Sequence, residues 1–196
     1  MNTGIIILAA GNSSRLGKPK QLLTFRGTTL LEIVTRAAIE SGCKPLVVVL
    51  GAYSSEISKQ QQDPDINYII NDSWQEGISS SIAAGLTDIM NLDQEVEQVI
   101  IAVSDQPFIN STVFLDLIKK QEETGKNMVT SSYEQTIGTP ALFNKKYFDQ
   151  LLSLTGNHGA KHILEQHPED IASILFEAGK IDIDTETDYD NLIHQQ

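Results

Sequence analysis

Residues 4–23 read GIIILAAGNSSRLGKPKQLL: an apolar run stops at Gly11, and Ser13, Ser14, Arg15, Lys18 and Lys20 follow at once. Glycine admits close backbone approach, successive loop N–H groups can form a nest for an anion, and the three cations add full charge. If the run is a strand, Leu8, Ala9, Ala10 and Gly11 stand at its carboxyl end, where open α/β sheets bind ligands. That combination suits phosphate; the alternative is a surface loop whose cations are simply solvated. A Walker loop is excluded, because five residues separate Gly11 from Gly17 and Pro19 follows Lys18 where a hydroxyl would be needed. A dinucleotide fingerprint is excluded too, since neither its glycine spacing nor an acidic residue after the second apolar run is present.

Acidic residues supply the complementary chemistry. VIIAVSDQPFI delivers Asp105 at the end of an apolar run, with Pro107 stopping its continuation. Asp105 suits a magnesium ligand, since magnesium takes few carboxylates and completes its shell with water and phosphate oxygens; it equally suits a turn residue capping the next helix. In KIDIDTETD, an extended 181–184 places Asp182 and Asp184 on one face, at a cost unless a cation neutralises them. NDSWQEGISSS follows a third apolar run. Asn71 stands there at a strand end, Gly77 permits close approach, and Ser79 and Ser81 offer hydroxyls and N–H groups at a helix start. Trp74 is a pocket wall or a stacking platform. His158 and His162 share a helix face if helical, but Gly159 stands where a zinc protease needs glutamate, and no third ligand has plausible spacing. Cys43 reads as a small core residue at a helix end.

The elements that must position these groups alternate regularly. Ile5–Ala10, Pro45–Leu50, Ile66–Ile70 and Val99–Val103 are apolar runs of the kind buried on both sheet faces. Thr29–Ser41, Ser54–Gln61, Ser79–Asn91 and Ser111–Thr124 carry helical patterns, each opening near a Ser or Thr cap, with Gly42 and Gly125 as C-terminal stops. The order predicts a mostly parallel sheet with helices on both faces. Beyond residue 126, KNMVTSSY, TPALFN, ASILFE and KIDIDT read as strands. KKYFDQLLSL, AKHILEQH and ETDYDNLIHQQ read as helices, the last capped by Thr185. No repeat or linker divides the 196 residues, so one domain over 1–196 is expected.

A net charge of −12 repels nucleic acid, and no basic stripe offsets it. No apolar run reaches 18 residues and no signal peptide is visible, so no membrane partner and a cytoplasmic location are expected. The single cysteine excludes an internal disulfide framework.

Taken together, LAAGNSSRLGKPKQLL, NDSWQEGISSSIAAGL, SDQPFI, GTPALF, GNHGAKHIL and DIDTETDYDNL resemble, in order, the blocks of nucleotidyltransferases with a glycosyltransferase-A-like fold. Among these the chain is most similar to the MobA-like NTP transferases, in their molybdenum cofactor cytidylyltransferase branch. The resemblance implies a three-layer αβα, Rossmann-like fold of the nucleotide-diphospho-sugar transferase type. It implies catalytic roles for Arg15, Lys20 and Asp105, and nucleotide contacts from Leu8, Ala9, Ala10, Gly11, Ser13, Ser14, Arg15, Lys20, Asn71, Gly77, Ser79, Ser81 and Asp105. It implies Mg2+ on Asp105, completed by Asp184 or Asp182, with Asp184 favoured. It favours CTP as donor, from the Ala-Ala-Gly and Asp-Gln-Pro forms of two blocks, and molybdopterin as phosphorylated acceptor. A sugar phosphate acceptor is the alternative within enzymes; a non-catalytic nucleotide-binding module, or one serving a molybdoenzyme apoprotein, is the alternative outside them. A glycosyltransferase fits less well, because Ser104-Asp105-Gln106 stands where its Asp-x-Asp would be. Three departures stand out: Asn157 for an aspartate, Lys161 for an arginine and Glu186 for a proline. The first two bear on the acceptor rather than on the reaction.

Overall fold

The computed structural model of the chain describes residues 1–60, 63–134 and 136–194. It opens with β1 (Thr3–Ala9), a short hairpin of β2 (Thr24–Phe25) and β3 (Thr28–Thr29), and α1 (Leu30–Ser41). β4 (Leu46–Leu50), α2 (Ser54–Gln60), β5 (Asn67–Ile70), α3 (Ile78–Leu92), β6 (Gln98–Val103) and α4 (Ser111–Thr124) continue the alternation. The expected end of α2 at residue 61 lies outside the described residues. Then come β7 (Met128–Tyr133), β8 (Thr136–Asn144), α5 (Phe148–Ser153), α6 (Lys161–Gln166), β9 (Ile171–Leu175) and α7 (Glu186–His194). The last two residues of the expected closing helix, 195 and 196, are likewise outside the described residues.

Seven strands form one sheet in the order β5-β4-β1-β6-β8-β7-β9. All neighbours pair in parallel except β8, which runs against both β6 and β7. The mostly parallel architecture expected from the sequence is present, with helices on both faces. β1 shows why its run is apolar throughout. Ile5, Ile7 and Ala9 join a core under α1, α2 and α4, while Ile6, Leu8 and Ala10 join a second core under α3, α5 and α6. The chain winds outward from β1 through β4 to β5, then returns to place β6 on the other side. The sheet therefore has its switch point between β1 and β6, where such folds open a crevice at the strands' carboxyl ends.

A third, smaller core joins Leu16, Leu23, Phe25 and Leu30 from the start of the chain to Ile183 and Leu192 from its end. This core corrects one expectation. KIDIDT is not a strand: a 3-10 turn covers Glu177–Lys180, and residues 181–185 leave the sheet to reach the glycine loop. Burying Ile183 against Leu16 and Leu30 replaces strand pairing. Helix starts differ as well. Thr29 caps α1 and Thr185 caps α7 as expected, but Asn110 caps α4 and Gly77 precedes α3. Asp105 is thus not a helix cap. Gly42 and Gly125 do end α1 and α4 in the left-handed region.

The far end of the sheet is pinned by Asp170, just before β9. Burial alone would push its carboxyl up. Hydrogen bonds from Lys146 Nζ (2.8 Å), the Asn127 backbone (3.1 Å) and side chain, and the Tyr147 hydroxyl (2.8 Å) outweigh this and hold it well below the usual carboxylate range. A carboxyl with a depressed native pKa contributes stability above its unfolded value of about 3.9 and loses that contribution as pH falls through the native one. Asp170→Ala should therefore cost about 2–3 kcal/mol in urea unfolding at neutral pH, with the gap to the parent narrowing below about pH 4.

Candidate active site

The crevice at the switch point is a cavity of about 410 Å³. Leu8, Ala10 and Gly11 line it from the end of β1, Ser104 and Asp105 from the end of β6, and Lys20 and Gln21 from the far side of the glycine loop. Trp74, Gly77, Ile78 and Ser81 close it from the start of α3, and Asn157 from the loop before α6.

The glycine loop is shaped by bonds to its carbonyls. Gln21, 1% exposed, donates from Nε2 to the carbonyls of Ala9 (2.8 Å) and Gly11 (3.2 Å). The Tyr53 hydroxyl donates to the Asn12 carbonyl, and the Ser13 carbonyl accepts from the N–H groups of Leu16 and Gly17. Ser13 sits at φ +47°, a left-handed conformation costly to a residue with a Cβ. Among the described residues, the N–H groups of Asn12, Ser13, Ser14 and Arg15 have no acceptor within the protein. A loop with its carbonyls tied back and its N–H groups unused is suited to an anion.

Charge is concentrated where the loop meets the strand ends. Lys20 Nζ bridges two carboxylates, donating to Asp105 Oδ2 and, at 3.0 Å, to Asp184 Oδ1. Arg15 reaches the other oxygen of Asp184 at 3.0 Å. Burial alone would lower the Lys20 pKa, but Asp105 and Asp184 outweigh it and raise it, so the ammonium keeps its charge. Asp182 lies nearby; partial burial, with the Asp105 and Asp184 carboxylates, pushes its pKa up. Three carboxylates thus face two cations, an imbalance that favours a further cation.

The chemistry of the donors fits a magnesium ion. Asp105 Oδ1 is buried and has no hydrogen-bond partner, while Oδ2 is held by Lys20. Among the described residues no group of three or more His, Cys, Asp or Glu side chains is arranged around a metal position. One or two carboxylates with phosphate and water is the set that magnesium accepts.

The sequence-predicted residues divide by position. Leu8, Ala10, Gly11, Lys20, Gly77, Ser81 and Asp105 line the cavity, and Arg15 and Asp184 reach it through the Lys20 bridge. Ala9 turns its side chain to the opposite core and contributes its carbonyl. Ser13 accepts from the Lys20 N–H at 3.1 Å, and Ser14 is exposed. Asn71 and Ser79 are committed elsewhere. Asn71 donates to Ser80 and Ser81 and accepts from the Ser73 N–H; Ser79 donates to the His158 carbonyl at 2.8 Å. These two shape the wall rather than presenting free polar atoms. Gly77 has φ +108°, and a Cβ there would meet the Gly156 carbonyl oxygen at 2.3 Å. Trp74 is a wall that also packs on the core. His158 precedes α6, so the two histidines do not share a helix face.

Two buried glutamines, Gln21 and Gln106, also shape the site, the second from inside the Asp-Gln-Pro block. Gln106 donates to the carbonyls of Thr139 and Gly179, both at 3.0 Å, and so ties the Asp105 turn to β8 and the 3-10 turn. Each follows a charged residue and precedes apolar ones, in KQLL and DQPF, so nothing local in the sequence marks it as buried.

A sequence model described as the MobA-like NTP transferase domain matches residues 5–171. Nicotine blue oxidoreductase of Paenarthrobacter nicotinovorans is 27% identical over 192 residues, covering 92% of this chain and 91% of that protein. Among solved structures, the Rv0371c homologue from Mycobacterium sp. strain JC1 superimposes with a TM-score of 0.86 at 28% identity, covering 99% of this chain and 96% of that one. The manganese complex of Mycobacterium tuberculosis H37Rv Rv0371c gives 0.80 at 22% identity, over 100% of both chains. No helix of the described residues is long and apolar enough to cross a membrane.

Because Gln21 holds two carbonyls from inside the loop, Gln21→Leu should lower stability by about 1–2 kcal/mol. It should also weaken nucleoside triphosphate binding about tenfold, read as quenching of Trp74 fluorescence. A stability loss with unchanged binding would assign Gln21 to the fold alone.

Proposed function

The chain belongs to the MobA-like NTP transferase family, and from that premise we propose that it acts as one Mg2+-dependent nucleotidyltransferase domain over residues 1–196. It transfers a nucleoside monophosphate from a triphosphate, CTP favoured, to a phosphorylated small molecule and releases pyrophosphate. The observation that carries this reading is the Lys20 bridge at the mouth of a glycine loop with unused N–H groups. The manganese-bound mycobacterial neighbour supports a divalent ion in this fold. CTP rests on the Ala-Ala-Gly and Asp-Gln-Pro blocks. Molybdopterin is the acceptor those blocks favour, with a molybdoenzyme apoprotein as the partner that would receive the product; a sugar phosphate is the other candidate. The oxidoreductase name belongs to the relative; here the spacing from Gly11 to Gly17 weighs against a dinucleotide in the loop.

The reaction needs positioning more than proton transfer. A phosphate monoester is largely ionised near neutral pH, its second pKa being about 6, so no general base is required. An oxygen of the acceptor phosphate forms the new bond to the α-phosphorus. The bond to the α,β-bridging oxygen breaks, and pyrophosphate leaves with that electron pair. Arg15, Lys20 and the loop N–H groups hold the β- and γ-phosphates and stabilise charge on the leaving group. Lys20 has a third N–H to offer a phosphate oxygen, and each carboxylate it exchanges for a further phosphate oxygen, Asp105 or Asp184, is freed. Those two, or Asp105 with Asp182, would hold Mg2+, which when bound withdraws charge from the phosphate oxygens.

Pyrophosphate release should be measured with four nucleoside triphosphates against molybdopterin and several sugar phosphates. CTP with one phosphorylated acceptor should exceed the other pairs, and no release with any pair would leave a binding module. Lys20→Ala should lower kcat/KM by about 10²–10³-fold; it should still unfold cooperatively, at a lower melting temperature, because Asp105 and Asp184 lose the cation between them. Asp105→Asn should raise the magnesium concentration for half-maximal rate about tenfold or more; superimposable titration curves would place the ligand elsewhere.

A further inference from the structure

Beside the main crevice lies a second, more enclosed cavity of about 170 Å³. It adjoins the first, since Leu8, Ile78 and Val103 line both. Its depth is walled by Ile82, Ile101, Ala141, Phe143 and Leu164, all buried in the core beneath α3 and α6. Thr139 and Lys161 are the polar side chains on it, and Lys161 is exposed at the rim. We propose that this slot is the acceptor subsite, and that it selects a phosphorylated molecule carrying a ring-sized apolar group, aromatic or branched aliphatic.

Three observations carry the inference. Size comes first: an apolar protein cavity of about 150 Å³ stays dry and takes up benzene, so this volume fits one ring. Polarity is next. Hydroxyls of a sugar or the hydrogen-bonding edge of a pterin would find only the Thr139 hydroxyl and the Lys161 ammonium among the side chains of the slot, so its lining weighs against the molybdopterin and sugar phosphate that the sequence blocks favour. Ile78 is the third. At the first residue of α3 it is 40% exposed and lines both cavities, so the passage from the main crevice to the slot is itself apolar. The family-pattern departures fall on these same walls: Asn157 on the main crevice and Lys161 on the slot. An ammonium at the rim beside an apolar interior matches an anion with an apolar body.

The assignment to the acceptor rests on the nucleotidyl-transfer reading, whereas the slot's binding preference does not, so the two are tested apart. Binding of benzyl phosphate and of glucose 1-phosphate to the full chain should be compared by ligand-observed NMR without nucleotide. Benzyl phosphate should bind about tenfold tighter or better. Gly159→Val should abolish the preference: a Cβ there meets only Ile78 Cγ2, at 3.6 Å, in backbone open to L-residues, and the added methyls narrow the mouth. Ala141→Leu, filling the slot from within, is the second variant, and melting temperatures verify that both fold. Equal binding of the two ligands by the parent protein, or a preference that survives both fillings, overturns the slot. Pyrophosphate release then separates the two readings. Tight benzyl phosphate binding without release from any triphosphate keeps the slot and removes the transferase. Release with glucose 1-phosphate or molybdopterin as efficient as with benzyl phosphate keeps the transferase and removes the slot.

Discussion

The ion cluster around Lys20 is the constraint on which the crevice depends. Two strands of the sheet end side by side, and a third segment from the end of the chain arrives beside them carrying Asp184. Without a cation between them, Asp105 and Asp184 would repel across a partly buried gap. Lys20 fills that gap and is held there by both carboxylates. The same arrangement makes Lys20 exchangeable. On the nucleotidyl-transfer reading, a triphosphate with a divalent ion would offer the lysine new oxygens and the carboxylates a new cation, so charges would be swapped rather than stranded.

The small core joining the two ends of the chain gives that cluster its geometry. Leu16 lies inside the glycine loop and Ile183 lies between Asp182 and Asp184; both are buried together with Leu30 and Leu192. Around them, Lys18 pairs with Glu186, and the Tyr189 hydroxyl donates to the Thr24 carbonyl at 2.8 Å. Asp188 accepts from the N–H groups of Asp184 and Thr185 and so fixes the turn that presents Asp184. The C-terminal members of this set, from Asp182 to Leu192, lie beyond residue 171, where the family match ends. The terminal segment thus behaves as a strap across the loop, held by apolar burial and tuned by charge.

What the sequence made legible follows from local rules. The alternation of β1 between two cores, the glycine stops of α1 and α4, and the delivery of Asp105 at a strand end are each decided within a few residues. What stayed hidden depends on distant partners. KIDIDT has strand composition, but the buried contact of Ile183 with Leu16 takes it off the sheet. Asn71 and Ser79 have the chemistry of nucleotide contacts, yet their hydrogen bonds are taken by Ser80, Ser81 and the His158 carbonyl. Gln21 has no periodic role in its own turn; its value lies in the carbonyls of Ala9 and Gly11, which folding brings to it. Polar side chains are read poorly from sequence, because composition does not show which of their partners are internal.

Charge explains why the two halves of the crevice differ. A chain of net charge −12 gains little by attracting a polyanion over long range, since screening limits that reach to about 8 Å in physiological salt. Recognition of phosphate must be local, and the first-strand side supplies it with a loop, a bridge and carboxylates for a counter-cation. The opposite side, built on β8 and α6, is freed from that duty. There β8, which runs against its neighbours, and a short helix enclose apolar surface, so on the acceptor reading discrimination would turn on shape and on the cost of stranding polar groups. Dividing the work in this way lets the phosphate chemistry stay fixed while the apolar wall is altered by single substitutions.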